Sequence, residues 1–415
     1  MTQNIAIIGS DINGVLANAV KFANCGARAT LFLGDSEVGD CDVAVLTTNS
    51  KHVSARRAYT KTKAAIRRCQ GSHIYLQEDS NLQGNLPADI QAVIDELNPP
   101  KILICISSPD KKRHVQGGVV HIGGVPANQT AVGRDPLSPV KEAHIPTLIY
   151  KNIGIKSKVL GFDIIDKGPE AIWKHIMDSS ERIIVLDALE PQHFRNIAEA
   201  IQLGGDKCFT CMTNSLSLEL PFVHGYSREK LKVIEPLENE KPVLVVIGSY
   251  NPIVGMQLGK ASEENGFPVI SVETTGLLSL KGRKVRIAEY CEKVIDRLKA
   301  GSNVAITSNS SRFIPQLRYK MAYLLAEIAA EALSRCDIGA LLTSGSDTTY
   351  ALCDTLRVQK IDVLGSLRTN VSTMISRLHM GNGKLLYIGS RGGAVGGPDE
   401  IRKTLEILRP SPAVK

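Results

Sequence analysis

The chain reads as an α/β protein of two domains, each a mostly parallel sheet flanked by helices. Three observations predict this. At 415 residues and about 150 residues per domain, two or three domains are expected. Short apolar runs alternate with amphipathic segments along almost the whole length, as in parallel α/β architectures. A polar, charged, proline-containing stretch at 226–241, YSREKLKVIEPLENEK, separates two halves of comparable length. The expected organisation is a first domain over 1–225, a linker over 226–241 and a second domain over 242–415.

The elements follow in order. QNIAIIG at 3–9 is a strand, followed by a helix over 14–24 with Gly26 as its stop. Strands are predicted at 28–33, 42–47, 73–77, 101–106, 158–162 and 182–187, and helices at 54–69, 168–178 and 190–203. The helix over 86–97 carries the clearest periodicity, with Leu86, Ile90, Val93, Ile94 and Leu97 on one face. Asn85 can cap it, and Pro87 is tolerated in its first turn. Gly117-Gly118 and Gly123-Gly124 flank VVHI and suggest a small hairpin. Past the linker, strands are predicted at 242–248, 268–272, 303–307, 339–343 and 384–388. Helices are predicted at 252–265, 285–299, 314–335, 348–356 and 399–408.

Composition narrows the function. The chain is 43% hydrophobic and 22% charged, in the globular range, and no run of 18 apolar residues suggests a membrane span. MTQNIAIIGSD lacks the basic region of a secretory signal. Nine scattered cysteines fit reduced thiols better than a disulfide framework, so a cytoplasmic protein is expected. Cys208 and Cys211 form the one C-x-x-C. With no second pair at zinc-ribbon distance, packing is the expected role and no protein-bound metal is assigned. The net charge is +7 and aromatics make up 5%. Basic residues such as Arg56, Arg57, Lys61, Lys63, Arg67 and Arg68 fall on a predicted helix as a solvated face. Nucleic-acid binding needs stacking platforms among its cations and is not expected. A mild positive bias suits an anionic small substrate. A homo-oligomer is compatible with all of this.

In open α/β sheets, ligands bind beyond the carboxyl ends of the strands, so the strand-to-helix turns are where chemistry is sought. Gly9-Ser10-Asp11-Ile12-Asn13-Gly14 is not G-x-G-x-x-G, which argues against a dinucleotide and a dehydrogenase. Its polar residues can cap the helix, yet an aspartate at a strand end is also placed to take a proton from a substrate hydroxyl. Glu78 to Asn85 forms a polar turn where backbone N–H groups attract anions. The irregular stretch 109–146 holds Lys111-Lys112-Arg113, Arg134-Asp135-Pro136 and Glu142-Ala143-His144, and Arg113 can clamp a carboxylate. Three glycine-containing turns mark the second half: Gly248-Ser249, Ser344 to Thr348, and Gly392 to Asp399. Glycine lets backbone approach phosphates and helix N-termini favour their charge, so together the turns point to a nucleotide. G-x-x-x-x-G-K-[ST] is absent.

In sequence order these segments resemble the four-carbon acid sugar kinases, the 3-oxo-tetronate and threonate kinases and their relatives. The resemblance runs from about residue 4 to 408. It is strongest at Gly133-Arg134-Asp135-Pro136-Leu137-Ser138-Pro139-Val140-Lys141-Glu142-Ala143-His144-Ile145-Pro146. Asp79-Ser80-Asn81-Leu82-Gln83-Gly84-Asn85 is similar to the family's D-S-T-L-R-G-N. Gly248-Ser249 resembles its S-G-S-C-S turn, Ser344 to Thr349 its T-G-G-D-T-A, and Arg391 to Gly396 its K-x-G-G-F-G. The resemblance implies an acid-sugar-binding domain followed by an ATP-binding domain. Phosphoryl transfer to a terminal hydroxyl would take place in the interdomain cleft. It further implies Asp11 as general base, and Asp79, Ser80, Asn85, Arg113, Asp135 and His144 as substrate-binding residues. Ser249, Gly345, Ser346, Asp347, Thr348, Gly393 and Gly396 would hold ATP, with Mg²⁺.

The departures fall at the motifs. The family's A-D-D-F-T-G stands as Gly9 to Gly14, with one aspartate fewer. Its Y-K-K-I-D-S is Tyr75-Leu76-Gln77-Glu78-Asp79-Ser80, and its L-R-G-N is Leu82-Gln83-Gly84-Asn85. G-R-T-T is Lys112 to Val115, and G-S-A-G-L-A is Met212 to Ser217. Two expected cations are therefore glutamines, and each lost charge-assisted contact costs ~1.5–3 kcal/mol unless Lys111, Lys112 or Arg113 substitutes. Two readings follow: an active kinase with a shifted acid-sugar substrate, or a family member that binds ligand or partner without turnover.

Overall fold

The computed structural model describes residues 5–273, 280–309, 314–368, 373–393 and 395–410. Contacts divide the chain into Met1–Phe32 with Glu37–Leu231, and Leu33–Ser36 with Lys232–Lys415. The start of the strand expected over 3–9 and Ala394 of the third glycine-rich turn lie outside the described residues.

The first unit is built on strands β1 (Ile5–Gly9), β2 (Ala29–Phe32), β3 (Val43–Thr47), β4 (His73–Gln77) and β5 (Lys101–Cys105). Three short strands follow, β6 (Arg113–Gln116), β7 (Val119–Ile122) and β8 (Val125–Pro126), then β9 (Ser157–Leu160), β10 (Ile183–Leu186) and β11 (Cys208–Met212). Eight of these form a sheet in the order β2-β3-β1-β4-β11-β5-β10-β9, and every neighbouring pair is parallel. The strands are buried apolar runs such as IAIIG and KILIC, as a sheet covered on both faces requires. Ala6, Ile8, Ile74, Leu76, Ile102 and Ile104 make up part of the core under the helices that cover it. Gly117-Gly118 and Gly123-Gly124 turn β6 into β7 and β7 into β8, each glycine at positive φ. Two successive positive φ angles form the turn that suits the twist of a two-residue hairpin.

The second unit contains β12 (Val243–Ile247), β13 (Val269–Ser271), β14 (Val304–Thr307), β15 (Ala340–Ser344), β16 (Val358–Ser366), β17 (Met374–Met380) and β18 (Leu385–Arg391). Its order is β13-β14-β12-β15-β18-β17-β16. β17 runs antiparallel to both neighbours and the other pairs are parallel.

The α/β class with mostly parallel sheets is what the alternation of segments predicts. In the two large sheets, three strands carried no prediction. β11 is CFTCM, where cysteine and threonine blur the apolar run. β16 and β17 alternate buried and partly exposed residues, the period of an antiparallel pair inserted into an otherwise parallel series. Cys208 and Cys211 lie in β11, buried; burial pushes both thiols up, which fits packing rather than reactivity. Among the described residues no helix is long and apolar enough to cross a membrane.

Candidate active site

In the first unit β1 lies between β3 and β4, so chain connections leave it in opposite directions. That reversal opens a crevice beyond the carboxyl ends of the strands. The turns after β1, β3, β4, β5 and β11 meet there. Backbone bonds stitch them together: Thr48 donates to the Gly9 carbonyl (2.9 Å), Ser50 to Ser10 (3.0 Å) and Glu78 to Met212 (2.8 Å).

Asp11 caps the helix Ile12–Asn24, accepting the Gly14 N–H on Oδ1 at 2.7 Å. Gly9 and Gly14 are required by close approach, since a Cβ on either would come 2.5 Å from Gln77 Oε1. Gln77 is buried and donates to the Glu78 carbonyl at 2.8 Å. Asp79 accepts the Asn81 N–H at 2.6 Å and pairs with Lys51. Burial pulls the Lys51 ammonium down, but Asp79 and Asp11 outweigh it and raise it overall. Burial pushes Asp79 up, and Lys51, with Arg113 and the Asn81 N–H, more than reverses this. Arg113 Nη1 donates to Ser80 Oγ at 2.9 Å. Asn85 stands at the N-cap of helix Leu86–Leu97 without a capping bond. Its amide instead donates to the Ser50 and Val53 carbonyls (3.0 and 3.2 Å), holding the turn that carries Lys51.

Asp135 and His144 stand somewhat apart. Asp135 Oδ1 accepts the N–H groups of Leu137 and Ser138 (2.9 and 2.8 Å), closing its own turn. Ser138 meets His52 Nδ1 at 2.8 Å and accepts Gln83 Nε2 at 3.3 Å on its carbonyl. His144 precedes helix Ile145–Ile153, with Nδ1 2.7 Å from Thr147 Oγ1.

In the second unit the same logic selects β12, flanked by β14 and β15. The turns after β12, β15 and β18 converge. A Cβ on Gly248 would collide with Thr348 Oγ1, and one on Gly393 with Ser249 Oγ, while Gly345, at φ +104°, packs against Ser249. Asn251 caps helix Pro252–Asn265 by accepting the Ile253 N–H at 3.0 Å. Asn309 donates to the Ser249 carbonyl at 2.6 Å. Buried Gln257 donates to the carbonyls of Val395, Gly396 and Gly397 at 3.3, 3.2 and 2.7 Å. Gly396, at φ +81°, lies against the buried carboxyl of Glu400. Ser346 and Asp347 open helix Ser346–Thr355, and Arg318 Nε donates to Asp347 at 2.7 Å. Glycine-containing turns brought together at two helix starts are the kind of arrangement that can accept a phosphate. Among the described residues no group of three or more His, Cys, Asp or Glu side chains could hold a metal ion.

Lys51, Asn309, Gln257 and Arg318 were not identified from the sequence. Lys51 alone left a signal there, a cation directly after a predicted strand; the others are defined by what they reach across the fold.

A charged crevice lies in one unit and a glycine-lined set of turns in the other, an arrangement suited to a small polar molecule and a nucleotide. Two family models agree with that division: a sugar-binding N-terminal domain matches residues 5–220 and a nucleotide-binding C-terminal domain matches 244–401. The chain belongs to the four-carbon acid sugar kinase family. It is 26% identical to the D-erythronate kinase of Heliobacterium modesticaldum, over 98% of this chain and 97% of that protein. It is 23% identical to the D-threonate kinase of Bordetella bronchiseptica, over 98% and 97%. The fold matches the crystal structure of a Haemophilus influenzae protein with a TM-score of 0.74 at 16% identity, covering 97% of this chain and 100% of that one.

Proposed function

We propose that the protein phosphorylates the terminal hydroxyl of a four-carbon acid sugar of the threonate, erythronate or 3-oxo-tetronate type, with ATP as donor. The observation that carries this reading is the charged set around Asp11. A carboxylate oriented by a backbone N–H stands among Lys51, Asp79, Arg113 and Ser80 at one sheet's switch point.

Asp11 accepts the proton of the substrate hydroxyl, its orientation fixed by Gly14. Arg113 and Ser80 bind the acid sugar. Asp79 acts with Lys51, while Asn85 holds the Lys51 turn. Asp135 and His144 shape the wall beside it. Ser249, Gly345, Ser346, Thr348, Gly393 and Gly396 form the nucleotide cradle, and Asp347 is its acidic member. When bound in this cradle, ATP would supply the phosphoryl group, and Mg²⁺ accompanying its phosphates would neutralise their charge. The crevice and the cradle are assigned to a substrate domain ending near 225 and a nucleotide domain beginning near 242.

Binding without turnover is the competing reading. It is favoured by the neutral Gln77 and Gln83 and by the engagement of Asp347 with Arg318. The test is ATP consumption across a panel of four-carbon acid sugars, with the product followed by phosphorus NMR. A new phosphate monoester is the expected result. Saturable binding of acid and nucleotide with no monoester would establish the competing reading.

A further inference from the structure

Two of the crevice's cations have carboxylates nearby but no direct ion pair among the described residues. Lys51 is paired with Asp79. Lys111 and Arg113 form no ion pair among the described residues. Arg113 spends Nη1 on the neutral Ser80 hydroxyl, and its buried Nε has no hydrogen-bond partner. Lys111 ends the turn Pro109–Lys111 directly after β5. It is half-buried, and burial is the main reason its ammonium is pulled down. Asp110, Asp79 and Asp11 oppose that shift and Arg113 adds to it, so Lys111 lies within electrostatic reach of all four.

The neighbouring Asp110 is itself anchored. Asp110 accepts from Ser108 Oγ at 3.0 Å and Ser215 Oγ at 3.4 Å, and acts on buried Lys21 behind it as well as on Lys111. Lys112 is different: it is exposed and sits at φ +56°. Gln77 and Gln83, at the positions where the resemblance leads one to expect cations, donate instead to the Glu78 and Ser138 carbonyls.

Resting on the proposed reading of this crevice as the acid-sugar site, we propose that Lys111 is a specificity-determining residue that receives the substrate carboxylate together with Arg113. Keeping a cation desolvated without a directly paired anion is unfavourable, and an incoming carboxylate relieves that for both residues. The charge lost at positions 77 and 83 is thereby supplied from the turn after β5. The pocket selects acids over the uncharged polyols of the same length.

The test is calorimetric titration of the full chain, as wild type, Lys111→Gln and Lys111→Arg, with D-erythronate and with erythritol, alongside an ATP-consumption assay. Loss of one charge-assisted contact should weaken erythronate binding by roughly 10- to 100-fold in Lys111→Gln. Erythritol binding should stay unchanged, and Lys111→Arg should restore preference for the acid. Wild-type affinity for erythronate in Lys111→Gln, or an equal loss for acid and polyol, overturns the assignment. If wild type phosphorylates erythronate while Lys111→Gln binds it as before, only the role of Lys111 falls. If wild type binds erythronate and transfers no phosphate, with the selectivity lost in Lys111→Gln, the carboxylate site stands and the kinase reading falls. A wild type that binds no four-carbon acid overturns both.

Discussion

Asp11 caps a helix and stands among the charges of the crevice, and the two roles can be separated by one substitution. Asparagine is an equally good N-cap, so Asp11→Asn should keep the Gly14 bond and the melting temperature. It removes the proton acceptor, and general-base catalysis is typically worth ~10²–10⁴-fold, so kcat should fall by that factor with ATP affinity unchanged. An unchanged kcat would remove Asp11 from the reaction. A second residue-level prediction concerns His224, whose Nε2 lies 2.7 Å from Tyr75 Oη and whose ring is 5.5 Å from that of His73. Burial first, and then His73, lower its pKa from 6.5 to about 4. A histidine whose folded pKa is depressed gives its full stabilisation above 6.5 and loses it as pH falls towards 4, a swing of about 3 kcal/mol. The melting temperature of His224→Gln should therefore fall less than that of wild type between pH 7 and pH 4.5. Parallel curves would show that His224 does not titrate in this window. Asp11 was legible in the sequence because it follows a strand. The His224–Tyr75 contact was not, because it joins residues 149 apart.

At the scale of elements, the glycine-containing turns were visible as composition, but what each glycine makes room for was not. Gly393 lies against Ser249 and Gly248 against Thr348. Gly393→Ala should thus close the cradle and weaken ATP binding at least ~10-fold, with little change in acid-sugar affinity, as parallel titrations would show. Gln257 braces the third turn through three carbonyls. Gln257→Leu strips those bonds, each worth about 1 kcal/mol net. It should raise the KM for ATP more than it lowers kcat; an unaffected KM would mean that the turn holds its shape without the brace. Gln257 stands inside an ordinary-looking helix, and its partners are about 140 residues away. The antiparallel β16–β17 pair escaped for a related reason. Once a chain reads as alternating strands and helices, a two-residue period late in the second half has to compete with that pattern.

At the scale of the molecule, the proposed function puts one ligand on each unit, and this has a consequence measurable on the intact chain. Hydrogen exchange with a non-hydrolysable ATP analogue should slow around 248–254, 345–349 and 391–397. Exchange with the acid sugar alone should slow around 9–14, 79–85 and 109–115. Protection of the first set by the acid sugar, or of the second by nucleotide alone, would contradict the assignment of one ligand to each unit.

The sequence by itself determined the class of fold and the family. Both rest on local, repeated signals: buried apolar strands, amphipathic helices, and polar or glycine-containing turns at fixed places in the series. It also determined that positions 77 and 83 are uncharged. Only the tertiary structure decided which of the crevice's cations form a direct ion pair among the described residues and which do not. An ion pair such as Lys51–Asp79 or Arg318–Asp347 depends on strand order and turn geometry, which bring residues 28 or 29 positions apart together. Lys111 became distinguishable from Lys112 for the same reason. Adjacent lysines are alike in sequence, and the left-handed backbone at 112, with Asp110 held behind 111, separates a half-buried cation from one in water.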